Sequence, residues 1–156
     1  LADTTLAGPA LITLWELYEG WCRAPAAMAQ PSLQVRLGVL LSQLAATLTH
    51  LTQTPSCCQQ DIVWLADVGH GHVWARLSLQ PSVSADPDQA VQGWLHALRV
   101  QLQAQHGYAV VEWAPEVLRQ QLDVWGHPPG TPLLSLYKQS FDPHAVLNPG
   151  RYVAGL

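Results

Sequence analysis

The sequence predicts an α+β domain in which helices and short antiparallel strands alternate. Three observations predict it. Leu33, Val35, Leu37 and Val39 alternate strictly with Gln34, Arg36 and Gly38, the period of a half-buried strand. Val73, Ala75, Leu77 and Leu79 repeat that period against His72, Trp74, Arg76 and Ser78. Stripes at helical spacing follow each: Leu41, Leu44, Leu48 and Leu51, then Val91, Trp94, Leu95, Leu98 and Leu102.

Composition bounds the class. The chain has 156 residues, the size of one domain with an appendage. Hydrophobic content of 49% with only 12% charged residues belongs to a folded chain. Seven Trp in this length place some of them on surfaces that another domain or subunit covers. A net charge of −4 and the lack of any Lys/Arg cluster argue against nucleic acid and anionic membranes. No apolar run approaches the ~20 residues of a membrane span. Leu1-Ala2-Asp3-Thr4 carries neither an initiator Met nor a basic n-region, so the expectation is a processed or excised piece without a visible signal peptide. The odd count of three Cys, with Cys57 and Cys58 adjacent and no C-x-x-C, fits free thiols in a reducing cytosol.

The elements follow in order. Residues 9–24 read as a helix with Leu11, Leu14, Trp15, Tyr18, Trp21 and Cys22 on one stripe, and Pro9 stands in its first turn. Its aromatic stripe reads as packing. Ala24-Pro25 and Gln30-Pro31-Ser32 separate this appendage, residues 1–30, from a main domain of residues 31–156. After the first strand, Ser42 is expected to cap a helix that Thr54-Pro55-Ser56 ends. Ile62 to Ala66 reads as a more buried strand, and Gly69-His70-Gly71 turns it into the hairpin with Val73 to Leu79. Asp86-Pro87-Asp88-Gln89 is a helix start, and Gly107 ends that helix. Tyr108 to Trp113 is the fourth strand. Pro115-Glu116 opens a further helix expected to reach about Trp125, before a rigid loop from Gly126 to Gly130. Leu133 to Ser140 is the last helix.

From residue 33 to 113 the order is β-α-β-β-α-β. Two such units pack their helices on one face of an antiparallel sheet, the ferredoxin-like arrangement, here with an N-terminal helix and C-terminal helices added. The other sheet face is then expected to be open, to carry His72, Trp74 and Arg76, and to need a partner.

The chain closes on Phe141-Asp142-Pro143-His144-Ala145-Val146-Leu147-Asn148-Pro149-Gly150-Arg151. Pro143 stops the helix, since it lacks an N–H and disfavours the α region at Asp142. Asn148-Pro149-Gly150 is a tight turn in which Pro149 presets φ and Gly150 supplies positive φ. Arg151 follows at once, so the turn aims a cation. Read locally, this is a surface turn.

The same residues resemble the C-terminal signature F-D-P-x-x-x-L-N-P-G, followed by Arg or Lys, of FAD-linked oxidases in the vanillyl-alcohol oxidase superfamily. Leu122 to Gly130 and Leu133 to Phe141 are similar to the tail of the E subunit of bacterial glycolate oxidase. The close likeness covers about the last quarter of the chain, and a weaker one extends back to about residue 33. The resemblance implies the C-terminal substrate or cap domain of an FAD-dependent oxidoreductase. The parent reaction would be two-electron oxidation of a small 2-hydroxy acid to a 2-oxo acid, with the flavin accepting hydride. It implies as partners an FAD-binding domain and the catalytic and iron–sulfur subunits. The place would be the cytoplasm, with membrane association only through such a complex. In the family the N-P-G turn folds back toward the flavin domain. Asn148, Gly150 and Arg151 are therefore the cofactor-binding candidates, and Arg151 suits a phosphate or carboxylate as a bidentate donor.

Two departures narrow the reading. Catalytic relatives carry H-x-G-D-G-N-x-H in the hairpin, and its two His ligate a divalent metal. Here those two positions are Asp67 and Trp74, while His70 and His72 replace the acidic and amide residues, and only Gly69 and Gly71 remain. No metal is expected. No Gly-rich pyrophosphate loop opening a helix occurs either, so the flavin half is expected to lie outside this sequence, and the isolated chain is expected to be inactive.

Other single residues carry chemistry by type alone. Glu112 on the fourth strand is either a general base between apolar neighbours or a solvated face residue. His106 fits a helix end, and His127 and His144 sit in loops beside prolines. A stand-alone ferredoxin-like binding or regulatory module is the rival from another class, and a metal enzyme using His70 and His72 is a third reading.

Overall fold

The computed structural model describes residues 8–23, 31–53, 62–79, 87–128, 130–151 and 153–155. Helix α1 (Pro9–Arg23) comes first, then strand β1 (Ser32–Gly38), helix α2 (Leu44–Gln53) and the hairpin of β2 (Ile62–Asp67) and β3 (His72–Ser78). Helix α3 (Pro87–Ala104) leads to β4 (Tyr108–Trp113), followed by a single-turn α4 (Glu116–Arg119) and by α5 (Thr131–Phe141). The strands form one antiparallel sheet in the order β2-β3-β1-β4. With α2 and α3 as the crossovers, this is an α+β fold of the ferredoxin-like kind.

The alternating residues divide the sheet as expected. Leu33, Val35 and Leu37 of β1 and Val73, Ala75 and Leu77 of β3 are buried in one cluster with Leu44 and Leu51 of α2 and Leu95, Leu98 and Leu102 of α3. The α3 stripe turns a buried line of side chains toward the sheet every third or fourth residue, which fixes the helix on that face. Gly107 stops α3 as expected: its N–H reaches back to the Leu102 carbonyl at 2.8 Å, and His106 before it takes φ 58°.

Four expectations are corrected. Ser42 does not cap α2, because it lies inside a 3-10 turn, Leu41–Gln43, whose flanking residue Leu40 makes no side-chain cap. That turn also leaves Leu41 exposed, outside the buried stripe. Strand β2 is not the more buried strand. It is the sheet edge, so Val63 and Trp64 stand partly in solvent. The helix expected from Glu116 to Trp125 ends at Arg119. Beyond it the chain is drawn in as a cover for β4: the Val124 carbonyl accepts the Val111 N–H at 2.8 Å, and Asp123 Oδ1 accepts the Gly126 N–H at 3.0 Å. Arg99 of α3 holds the cover, donating from Nε to the Ala109 carbonyl and from Nη2 to the Val124 carbonyl, each at 3.1 Å. Burial pushes the Arg99 guanidinium below its ordinary value, and Asp123 opposes that push.

The fourth correction concerns the open face, which the chain's own first helix covers in part. The Trp74 ring meets Tyr18 of α1 edge-on at 5.9 Å, and the Arg76 guanidinium lies 4.3 Å over the Trp21 ring. Arg76 Nη2 also donates to the Trp21 carbonyl. Behind this contact runs a buried polar row. Arg76, 7% exposed, donates to Oε1 of Gln34, which is 1% exposed. Gln34 Nε2 donates to Glu112 at 3.1 Å, and Glu112 pairs with Arg36 at 2.7 Å. The Gln34 amide and the Arg76 guanidinium are thereby hydrogen-bonded, as burial demands, whereas the buried Arg36 Nε lies at ion-pair distance from Glu112 without making a hydrogen bond. The outer side of α1 is apolar too, with Leu11, Ile12, Leu14 and Leu17 exposed and Trp15 60% exposed.

The expected helix stop at Thr54-Pro55-Ser56, the Asp86 cap and the Cys57-Cys58 pair lie outside the described residues.

Candidate functional site

The closing stretch is organised by one carboxylate. Asp142 follows α5 at once and is 6% exposed. Its Oδ1 accepts the Val146 N–H and its Oδ2 the Leu147 N–H, each at 2.9 Å, while its main-chain carbonyl accepts the Ala145 N–H at 3.0 Å. Lys138, one helical turn back, donates to Asp142 Oδ2 at 2.6 Å and to the Leu147 carbonyl. Spacing i,i+4 at the last turn of α5 brings the ammonium over the orphan end of the helix. The Lys138 hydrogen bond and the two main-chain donors hold the Asp142 carboxyl below its ordinary value of 3.8.

That lock carries a pH dependence whose sign follows from the direction of the shift. A carboxyl with a lowered folded value stabilises the fold above its unfolded value, and the contribution is lost as the pH falls through the folded one. Acidification below the ordinary carboxylate range is therefore expected to loosen residues 142–151 before the sheet. The measurement is amide exchange at Val146 and Leu147, and Asp142→Asn is expected to give fast exchange there already at neutral pH.

The lock fixes what comes after it. The Arg151 N–H donates to the Asn148 carbonyl at 3.2 Å, closing the expected turn, and Gly150 has φ 70° as that turn requires. Asn148 itself takes φ 47°, a left-handed conformation that Asn tolerates better than most residues. The Arg151 side chain is exposed and makes no hydrogen bond or ion pair among the described residues. Phe141, Val146 and Leu147 are exposed around the turn, Phe141 by 80%. Leu133, Leu136 and Tyr137 continue that apolar surface along α5, with Tyr137 and Phe141 stacked at 6.2 Å.

Gly150 and Arg151 line a groove of about 840 Å³ with Glu112 and Trp113 of β4, Arg119 of α4, and Asp123, Trp125 and His127 of the covering segment. Of the residues singled out by type, Glu112, His127, Gly150 and Arg151 thus converge, and Asn148 stands beside them in the turn. His106 and His144 do not belong to the groove. Glu112 is committed to Gln34 and Arg36, which leaves it a poor general base. Arg119, Lys138 and Arg99 were not legible as site residues. The Lys138–Asp142 spacing was the one signal in the sequence that pointed to the lock.

The hairpin is organised differently. Asp67 Oδ2 meets His70 Nδ1 at 2.8 Å, and this hydrogen bond is the main cause lowering the Asp67 carboxyl. The His70 and His72 rings stack at 6.4 Å, and His72 meets Trp74 edge-on at 5.9 Å. Among the described residues no three His, Cys, Asp or Glu side chains cluster as metal ligands. Also among them, no helix is long and apolar enough to cross a membrane.

No family model matches the chain, and no curated protein matches it.

Proposed function

We propose that this chain is the C-terminal substrate or cap domain of an FAD-dependent 2-hydroxy acid oxidoreductase of the glycolate oxidase kind. The observation that carries the reading is the lock at Asp142. It spends a buried carboxylate, a lysine and three main-chain bonds on presenting Asn148-Pro149-Gly150-Arg151 at the mouth of a groove. A turn that only closed a surface would need none of these. Gly150 and Arg151 lie on the groove wall, where they would meet a flavin-binding half, and the exposed Phe141, Val146 and Leu147 would give that half an apolar surface to cover. When bound, FAD would supply the hydride acceptor. This chain's own residues would bind, position and exclude water. The donor set fits an edge of such a site, since Arg151, with no side-chain partner among the described residues, can pair with an oxyanion. It does not fit a whole one, for the Gly69–Gly71 turn opens strand β3 and offers no helix N-terminus for a pyrophosphate.

The test is a visible spectrum of the purified chain after incubation with FAD and passage through a desalting column. The expected result is no retained flavin band. Retention near one flavin per chain would show that these residues build their own flavin site, and the reading as a half would fall.

A stand-alone binding module remains as the second reading, and one observation favours it. Helix α1 covers Trp74 and Arg76, so the sheet face does not call for an outside partner. A monodisperse monomer that binds no hydrophobic dye would support it, whereas a cap half with exposed α5 and turn residues should bind dye or self-associate.

A further inference from the structure

We infer that the groove between β4 and the closing turn is an oxyanion site, with Arg119 and Arg151 as its two cationic donors. It deepens the cap-domain reading and rests on it only for where the ligand comes from. The inference follows from which charges on the groove wall are already spent. Glu112 is neutralised by Arg36 at 2.7 Å and accepts from Gln34. Asp123 accepts the Gly126 N–H at 3.0 Å and faces Arg99 at 3.7 Å and His127 at 3.9 Å. Glu112 is thus compensated, and Asp123 is tied into the covering segment by its hydrogen bond, with Arg99 as its long-range counter-charge.

The guanidiniums are not compensated in this way. Among the described residues Arg119 has one ion pair, to Glu116 at 3.9 Å, between two exposed groups, a contact of small energy. Arg151 has no side-chain partner among the described residues. The wall therefore holds two available forks in a chain whose net charge is −4. Guanidinium forks match the paired oxygens of phosphate and carboxylate. Trp113 and Trp125 on the same wall offer a flat apolar surface to the body of the ligand, and a volume of about 840 Å³ falls in the range of small-molecule sites.

Phosphate and carboxylate share this chemistry, and the test separates them. Inorganic pyrophosphate and oxalate are titrated separately into the folded chain, with tryptophan fluorescence and the Arg Nε–H resonances as readouts. Saturable binding is expected with a dissociation constant on the order of 1 mM, weak enough to be lost on desalting. Arg119→Gln and Arg151→Gln are each expected to weaken it about tenfold, the worth of one charge-assisted pair. Arg23→Gln, on α1 and outside the groove lining, controls for a general loss of charge. Stronger binding of pyrophosphate names a nucleotide phosphate as the source, and stronger binding of oxalate names a carboxylate substrate. Absence of saturation, or equal binding by the double Arg variant, overturns the inference. If the anion binds but the chain purified from its natural source brings no flavin-bearing segment or partner with it, the cap-domain reading falls and the site stands.

Discussion

Replacing Arg76 with Ala is expected to destabilise the domain by about 2–4 kcal/mol and to release α1 from the sheet. Arg76 is the point where the sheet's polar row meets the helix. Its guanidinium donates to Gln34 Oε1 and to the Trp21 carbonyl, and lies 4.3 Å over the Trp21 ring. Truncation removes the donor from two acceptors at once, and each buried acceptor left without it costs about 1–3 kcal/mol. The lost cation–π contact adds to that. The loss is partial because water can enter where α1 lifts. Denaturant melting at unchanged m measures the stability, and amide exchange along Pro9–Arg23 measures the release. A variant within about 0.5 kcal/mol of the parent, with α1 still protected, would show that the helix docks by its apolar contacts alone. Arg76→Lys should fall between, since an ammonium cannot reproduce the fork.

Gly71→Ala is the second large effect, expected at about 3 kcal/mol. Gly71 sits in the β2–β3 turn with φ 67°, where a side chain is strained by about 1–3 kcal/mol. A Cβ there would also stand 2.3 Å from the Val39 carbonyl oxygen, a main-chain atom that cannot swing aside. The Val39 N–H bonds the Gly71 carbonyl at 2.9 Å, so relieving the clash loosens the link from the hairpin to the end of β1. Gly69 in the same turn meets only the Asp67 carboxylate, at 3.5 Å, and takes no positive φ, so Gly69→Ala is expected to be far milder. Equal effects of the two substitutions on the melting midpoint would refute this assignment of the turn's strain.

The contrast between these two glycines shows what the sequence carried and what it did not. The strands were legible because a period of two is local: Leu33 to Val39 and Val73 to Leu79 announce their buried faces without reference to anything else. Helix α3 was legible for the same reason, with its stop at Gly107. Local patterns do not tell edge from centre, so Ile62 to Ala66 read as buried when strand order puts it at the rim. The false extension of α4 has a similar origin. Residues 120–125 carry no helix breaker, and only the long-range bond from Val111 to Val124 and the Arg99 clamp pull them out of helix. The covering of the sheet by α1 was hidden in part because one of its contacts uses the Trp21 carbonyl, a group every residue possesses.

The candidate site divides along the same line. The turn at Asn148 to Arg151 was legible down to the sign of φ at Gly150, since proline and glycine dictate turn type locally. The Asp142 lock was not read from the sequence, although the i,i+4 spacing of Lys138 and Asp142 could have pointed to it. The groove was not. Glu112, Arg119, His127 and Arg151 are far apart in sequence and meet only because the segment after α4 folds back along β4.

The measurement that bears most directly on the cap-domain proposal is the flavin content of the tagged chain purified from its natural source under native conditions, beside Arg151→Ala and Leu147→Asp. The expected result is a flavin spectrum near one flavin per chain, carried either on a flavin-binding segment of the same polypeptide or on a companion polypeptide, and with a lower flavin content in both variants. A monodisperse chain free of flavin, or a flavin content untouched by either substitution, would contradict it.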